Sequence, residues 1–330
     1  MRVRLVSRRK LTWRLLRLRS LNQPFTRLHM RRRYESWFLR LGLPDGSGAW
    51  WFRYLLTNPG RSGCQGAVPT APCQVWATWF PQDEQPESCI QEFPLTDLKL
   101  SAEDGPFTLQ IGSNAIEDNA CRGAIDARGK RITWDLHYRS NFQATLSNKG
   151  WIGFSRTPHS DTVFSGEIVF DSKVFRGNPL GLGVQGHNCG FRHREFWTWM
   201  HAVFPQKDGS LSSFEALVYE MPFGLVFRKA VLWHQGQPIF FRKLRESRRD
   251  RQQMHWIFTA QSKHGTVEVT VDGAGSIHRV AYTKTDCRGT FEVSNNSLAS
   301  AQLKLHLRDA AEELSTDDGA VLEMAGDYSV

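Results

Sequence analysis

From Tyr34 onward the chain is a succession of short runs in which apolar or aromatic residues alternate with polar ones. Each run is closed by Gly, Pro, Asn or Asp. Alternation with period two and turn residues at short intervals is the signature of strands and hairpins, and it leaves little room for amphipathic helices. Residues 49–56 (AWWFRYLL) follow the turn-rich Pro44-Asp45-Gly46-Ser47-Gly48, and residues 74–80 (QVWATWF) follow a loop rich in Gly and Pro. Phe107, Leu109 and Ile111 alternate, as do Ile132, Trp134, Leu136 and Tyr138, then Val267, Val269 and Val271, then Leu303, Leu305 and Leu307. Helical periodicity surfaces only at residues 308–314 (RDAAEEL), where a short helix is expected. The pattern predicts an all-β protein of antiparallel barrels or sandwiches, because a parallel sheet would need crossover helices that are missing.

One small barrel needs far fewer than 330 residues, so two β units are expected. The division is a leader at residues 1–33, β domains at 34–180 and 181–310 with a seam in residues 175–181 (FRGNPLG), and a frayed acidic tail at 311–330.

The net charge of +9 is unevenly placed. Twelve Lys and Arg and no acid precede or include Arg33, which leaves 42 − 12 = 30 basic against 33 acidic residues for the rest, about −3. A nucleic-acid partner is therefore not expected of the folded body. The leader reads as a disordered segment or a short basic amphipathic helix able to rest on an anionic membrane, unless the natural start is Met30. No run approaches the roughly 20 apolar residues of a membrane span. Six cysteines without a CxxC pair favour reduced thiols and a soluble, cytoplasmic protein.

The most unusual stretch is residues 181–204 (GLGVQGHNCGFRHREFWTWMHAVF). Glycines around His187 and Asn188 permit tight turns and close approach of the backbone. Beyond them, period two places Phe196, Thr198 and Met200 on one face and Trp197, Trp199 and His201 on the other, one of which should line an interior. Residues 214–220 (FEALVYE) carry Glu215 and Glu220 without clean alternation, so one of the two acids is expected to face inward, where beside a histidine it would form an acid/base pair. The competing readings are a His187 that only hydrogen-bonds a loop and tryptophans that only wall a core. A zinc set of His187, His193 and His201 fits no HExxH spacing, and no GxSxG, Walker or dinucleotide motif is present.

On three segments the chain resembles the lipocalin-like superfamily that includes carotenoid 1,2-hydratase (hydroxyneurosporene synthase), tocopherol cyclase and related Diels–Alderases. Tyr34-Glu35-Ser36-Trp37-Phe38-Leu39-Arg40 with Ala49-Trp50-Trp51-Phe52-Arg53-Tyr54 is similar to that family's YESFFL…WIRYT start. Gly186-His187-Asn188-Cys189-Gly190 with Trp197-Thr198-Trp199 is similar to its GHNWG…WxW signature, and Ala281-Tyr282 with Asn295-Asn296-Ser297 to its closing strands. The resemblance implies two lipocalin-like β-barrel domains around a cavity for an apolar, often isoprenoid or polyene, molecule, with no cofactor and no metal. It places a proton donor at His187 or Glu220, and Asn188, Trp197, Trp199, Tyr219 and Glu215 around the substrate. Cys189 departs from the family's tryptophan, and a thiol offers a carbocation no aromatic face. Two expectations follow: a cofactor-free hydratase or cyclase, or a non-catalytic carrier of a lipid or hydrophobic metabolite.

Overall fold

The computed structural model describes residues 20–25, 33–58, 71–101, 105–148, 153–191, 193–221, 225–273, 275, 277–307 and 311–326. Apart from one 3-10 turn at Leu95–Asp97, every regular element among them is a strand. The first twelve are β1 (Arg33–Gly42), β2 (Gly48–Asn58), β3 (Cys73–Pro81), β4 (Glu87–Phe93), β5 (Leu98–Leu100), β6 (Thr108–Ile111), β7 (Asn114–Glu117), β8 (Ala120–Ala127), β9 (Lys130–Arg139), β10 (Ala144–Asn148), β11 (Gly153–Phe170) and β12 (Lys173–Gly190). The remaining ten are β13 (Trp197–Pro205), β14 (Leu211–Glu220), β15 (Val226–His234), β16 (Gln237–Phe241), β17 (Lys243–Asp250), β18 (His255–Ser262), β19 (Gly265–Asp272), β20 (His278–Thr283), β21 (Thr290–Leu307) and β22 (Ala311–Ala325).

They form two antiparallel sheets of the same design. The first runs β4-β3-β2-β1-β12-β11-β9-β8-β7-β6-β5 with β10 on β11. The second runs β16-β15-β14-β13-β22-β21-β19-β18-β17 with β20 on β21. In each, the first strand pairs with the last, so each sheet curls back on itself, with β4 coming against β8 and β16 against β18. The fold is the expected all-β pair of lipocalin-like barrels.

Alternation decides what fills them. In β1, Trp37, Leu39 and Leu41 point into the first barrel with Trp50, Phe52, Tyr54 and Trp134. Tyr54 Oη donates to the Ala115 carbonyl at 3.1 Å and accepts from Trp134 Nε1 at 3.0 Å, so this aromatic core leaves no phenol or indole polar atom of that pair unpaired. Met200, Phe214, Phe241, Trp256 and Phe258 fill the second barrel in the same way. A third cluster lies between the barrels, built from the opposite faces of the same strands: Phe38, Trp51, Val184, Trp199, Leu217 and Val321. Arg40 crosses this layer fully buried. Its guanidinium donates to the carbonyls of Ser297, Asp318 (2.7 Å), Gly319 (3.3 Å) and Ala320 (3.2 Å) of the second barrel.

Several expectations change. The seam at residues 175–181 falls inside β12, whose whole length belongs to the first sheet. The second sheet begins at Trp197, because the glycines there serve close strand approach and do not end a strand. A Cβ at Gly183 would meet the Arg40 carbonyl, and one at Gly186 would meet the ring of Phe38. The acidic tail is β22, paired with both β13 and β21. Leu314, Ala320, Val321, Leu322 and Met324 are buried, and this burial outweighs the helix propensity of residues 311–314. Of the leader, residues 1–19 and 26–32, Met30 included, lie outside the described residues. Cys73, Cys89, Cys121 and Cys189 are thiols outside any disulfide, whereas Cys287 is disulfide-bonded, which corrects the expectation of reduced thiols throughout. Among the described residues no helix is long and apolar enough to cross a membrane.

Candidate functional site

His187 is not in a turn. It sits in β12 opposite Trp37, and its side chain points into the first barrel. Its ring stacks on Trp37 at 4.5 Å between centroids and meets the edge of Phe154 at 4.7 Å. Nε2 lies 2.8 Å from Glu35 Oε1, and Nδ1 lies 2.7 Å from the Leu21 carbonyl. A carbonyl can only accept, so Nδ1 carries a hydrogen and donates it to the Leu21 carbonyl. The surrounding contacts come from residues 20–25, which enter the mouth of the barrel. Trp37 Nε1 donates to the Asn22 carbonyl at 3.0 Å, and Gln185 Nε2 donates to Asn22 Oδ1 at 2.9 Å. His187 and Glu35 are thus a fully buried structural pair under a plug.

One residue further along, alternation turns Asn188 outward, and there the structure has a cavity of about 350 Å³ between the barrels. The first barrel contributes Tyr34, Ser36, Phe38, Trp51, Arg53 and Asn188; the second contributes Trp197, Trp199, Leu217, Tyr219, Tyr282 and Glu323. Phe38 and Trp51 stack in parallel at 5.1 Å, and Trp199 presents its ring at right angles to both. Cys189 lies at the rim of the same cavity, and Arg33 Nη1 donates to its thiol at 3.7 Å.

The polar groups are few and deeply set. Glu323 Oε1 accepts from Trp197 Nε1 at 2.9 Å, and Oε2 accepts from Asn295 Nδ2 at 3.3 Å. Burial raises the pKa of this carboxyl, and the charge of Arg53 and the two hydrogen bonds offset only part of that. Arg53 Nε donates to Ser36 Oγ at 2.9 Å, and its guanidinium lies over Tyr282, 4.4 Å from the ring centroid. His193 stacks on Tyr34 at 3.8 Å; burial, and then the charge of Arg53, push its pKa well below the usual histidine range, so it is a neutral imidazole. Burial pushes the Tyr34 hydroxyl up to about 12. Tyr219 Oη lies 2.9 Å from Ser147 Oγ.

The residues expected at the site therefore separate. Asn188, Trp197, Trp199 and Tyr219 line the cavity. Glu215 stands one layer behind: its Oε1 accepts from Trp199 Nε1 at 2.8 Å, and the Thr157 hydroxyl reaches it at 2.7 Å. The two expected proton donors do not belong there. His187 faces the opposite compartment, and Glu220 is exposed at the end of β14, whose buried acid is Glu215 on the face between the barrels. The three histidines weighed as a zinc set also separate: His201 lies 3.3 Å from Ser160 Oγ, apart from the surroundings of His187 and His193. Among the described residues no group of three or more His, Cys, Asp or Glu is arranged to hold a metal.

Arg53 and Glu323 were not singled out from sequence, and His193 was weighed only as a member of the zinc set. Arg53 had a visible signal, a lone cation in the aromatic run of residues 49–56. Glu323 was hidden by reading residues 311–330 as a tail, although residues 319–325 (GAVLEMA) carry the apolar content of a strand.

Fold and cavity together define a two-barrel, lipocalin-like protein with a ligand-sized space between its barrels. No family model and no curated protein sequence matches the chain. Among solved structures it is similar to CghA with Sch210972, at 12% identity and a TM-score of 0.59 over 89% of this chain and 88% of that one. It is also similar to kievitone hydratase from Nectria haematococca (10% identity, TM-score 0.52, 94% of each chain) and to a putative AttH from Nitrosomonas europaea (12%, 0.51, 90% and 93%). At these identities the likeness establishes the fold.

Proposed function

We propose that the protein binds an apolar small molecule between its barrels and acts on it by acid catalysis, with the Glu323 carboxyl as proton donor. The observation that carries this reading is a buried carboxyl of raised pKa set into a cavity walled by Phe38, Trp51, Trp197 and Trp199. Burial keeps a carboxylic acid protonated toward neutral pH, which suits a general acid. Oε1 accepts the closer bond, from Trp197, and Oε2 the longer one, from Asn295, so Oε2 is the oxygen that carries the proton. Transfer of that proton to a carbon–carbon double bond forms a carbocation, which the aromatic faces stabilise. Water then adds to the cation and returns a proton to the Glu323 carboxylate, completing a hydration; capture by a hydroxyl of the substrate completes a cyclisation. Asn188 and Tyr219 orient the substrate.

The shared fold of a kievitone hydratase supports the hydratase class, and CghA with Sch210972 supports occupancy of this fold by a small molecule. The resemblance of the GHNCG and WTW segments favours an isoprenoid or polyene body. A carrier role is the second reading, favoured by the fact that both oxygens of Glu323 already accept hydrogen bonds.

Mass spectrometry of molecules that copurify with the protein, followed by incubation of the recovered ligand with wild type and Glu323→Gln, separates the two. Acid catalysis predicts a product 18 mass units heavier, or an isomer, with wild type only. A ligand recovered unchanged from wild type would refute catalysis and leave the carrier.

A further inference from the structure

Two residues that line the inter-barrel cavity each hold a buried polar atom without a partner among the described residues, and the two atoms are of opposite hydrogen-bonding character: Arg53 Nη1, a donor, and Asn188 Oδ1, an acceptor. Arg53 is only 5% exposed and permanently charged. It cannot swing to solvent, because Nε is held by Ser36 and the guanidinium plane lies over Tyr282, with Trp76 at 5.3 Å. Asn188 is the cross-strand partner of Ser36, so the two unpaired atoms flank the same serine. Buried polar atoms are costly unless something meets them, and a pair left open beside a cavity of ligand size marks a recognition end. A ligand that meets both atoms offers an acceptor to the first and a donor to the second. Arg194 adds a second cation to the lining, near Tyr219.

We propose that Arg53 and Asn188 select an apolar acid: an anionic carboxylate or enolate oxygen accepts from Arg53 Nη1, and a neighbouring hydroxyl or amide N–H donates to Asn188 Oδ1. This rests on the reading of the cavity as a ligand site, and it adds the functional group by which the ligand is chosen. The apolar body lies against Phe38, Trp51, Trp199 and Leu217, and the acid end sets the distance from the body to Glu323.

Isothermal titration calorimetry with 1-dodecanol, dodecanoate and 3-hydroxydodecanoate, each below its aggregation limit, tests the assignment. Wild type is expected to bind dodecanoate about tenfold more tightly than dodecanol, as one charge-assisted hydrogen bond supplies, and 3-hydroxydodecanoate several-fold more tightly again. Arg53→Gln should abolish the preference for the acid while retaining dodecanol. Asn188→Leu, a half-buried position that tolerates the change, should remove the advantage of the 3-hydroxyl and keep the acid preference. Equal affinity of wild type for dodecanol and dodecanoate overturns the proposal and leaves the ligand cavity standing, as does an Arg53→Gln protein that still prefers the acid. An Asn188→Leu protein that still favours the 3-hydroxy acid also overturns it. Failure of all three probes to bind wild type overturns the ligand-cavity reading and this proposal with it.

Discussion

Glu215 offers the sharpest test of how the inter-barrel layer is built. It lies on the outward face of β14, fully buried, with Trp199 Nε1 at 2.8 Å from Oε1 and the Thr157 hydroxyl at 2.9 and 2.7 Å from the two oxygens. Burial raises its pKa from 4.5 to about 7, and the bonds from Trp199 and Thr157 recover only part of the lost hydration. The folded protein therefore holds this proton more tightly than the unfolded chain. The stabilisation is complete below pH 4.5 and is lost as pH rises through about 7. At ~1.36 kcal/mol per pH unit across that window, the loss amounts to about 3 kcal/mol by pH 8.5. Glutamine keeps the shape and an acceptor for Trp199, and it never ionises. Glu215→Gln should match wild type near pH 4.5 and exceed it by up to about 3 kcal/mol at pH 8.5. Urea unfolding at constant ionic strength, at several pH values between these limits, measures the difference directly. A difference that does not change with pH, or one that moves in favour of wild type as pH rises, would falsify the account of a carboxyl held protonated between the barrels.

Three further outcomes are expected. His187→Gln breaks a fully buried pair and should cost about 3–5 kcal/mol in urea unfolding, while the folded fraction binds cavity ligands within about twofold of wild type. A selective loss of ligand binding or turnover without loss of stability would return His187 to the active site. Arg40→Ala strips four backbone carbonyls of a charged donor and should cost about 3–5 kcal/mol, with calorimetry resolving two transitions as the barrels uncouple. A single transition at the wild-type temperature contradicts the clamp. Glu220→Gln, at an exposed strand end, should change stability by less than about 0.5 kcal/mol and leave turnover unaltered; a large loss of turnover places that carboxyl in the chemistry after all.

The fold was legible because period two is a local property. Leu109 and Ile111 in β6 with Phe107 just before it, or Val267, Val269 and Val271 in β19, announce a strand with one buried face whatever they pair with. The split of β13 into Phe196, Thr198 and Met200 against Trp197 and Trp199 also holds: Phe196 and Met200 join the core of the second barrel, and both tryptophans line the cavity. What local pattern cannot carry is pairing. Glu323 meets Trp197 across a sequence separation of 126, and His187 finds Glu35 across one of 152. Nor does a glycine cluster by itself distinguish a turn from a strand lying under a neighbour's ring, as Gly186 lies under Phe38.

The shared strand order of the two sheets accounts for where the site lies. Each barrel closes first strand to last, so β1 with β12 and β13 with β22 form equivalent seams, and both barrels spend one face of those strands on their own aromatic cores. That core packs inside each barrel, and the inter-barrel cavity lies in the layer where the opposite faces meet. The segment Gly186–Gly190 runs along one such seam. Its two polar side chains, one position apart, serve different compartments: His187 closes the first barrel over Glu35 and the plug, and Asn188 faces the cavity. A slip of one residue in the β1–β12 register would exchange them, burying Asn188 among tryptophans and delivering an imidazole to the ligand. The pairing of Trp37 with His187 and of Ser36 with Asn188 fixes the assignment, which is why the motif turns Asn188 toward the cavity and keeps His187 inside the first barrel.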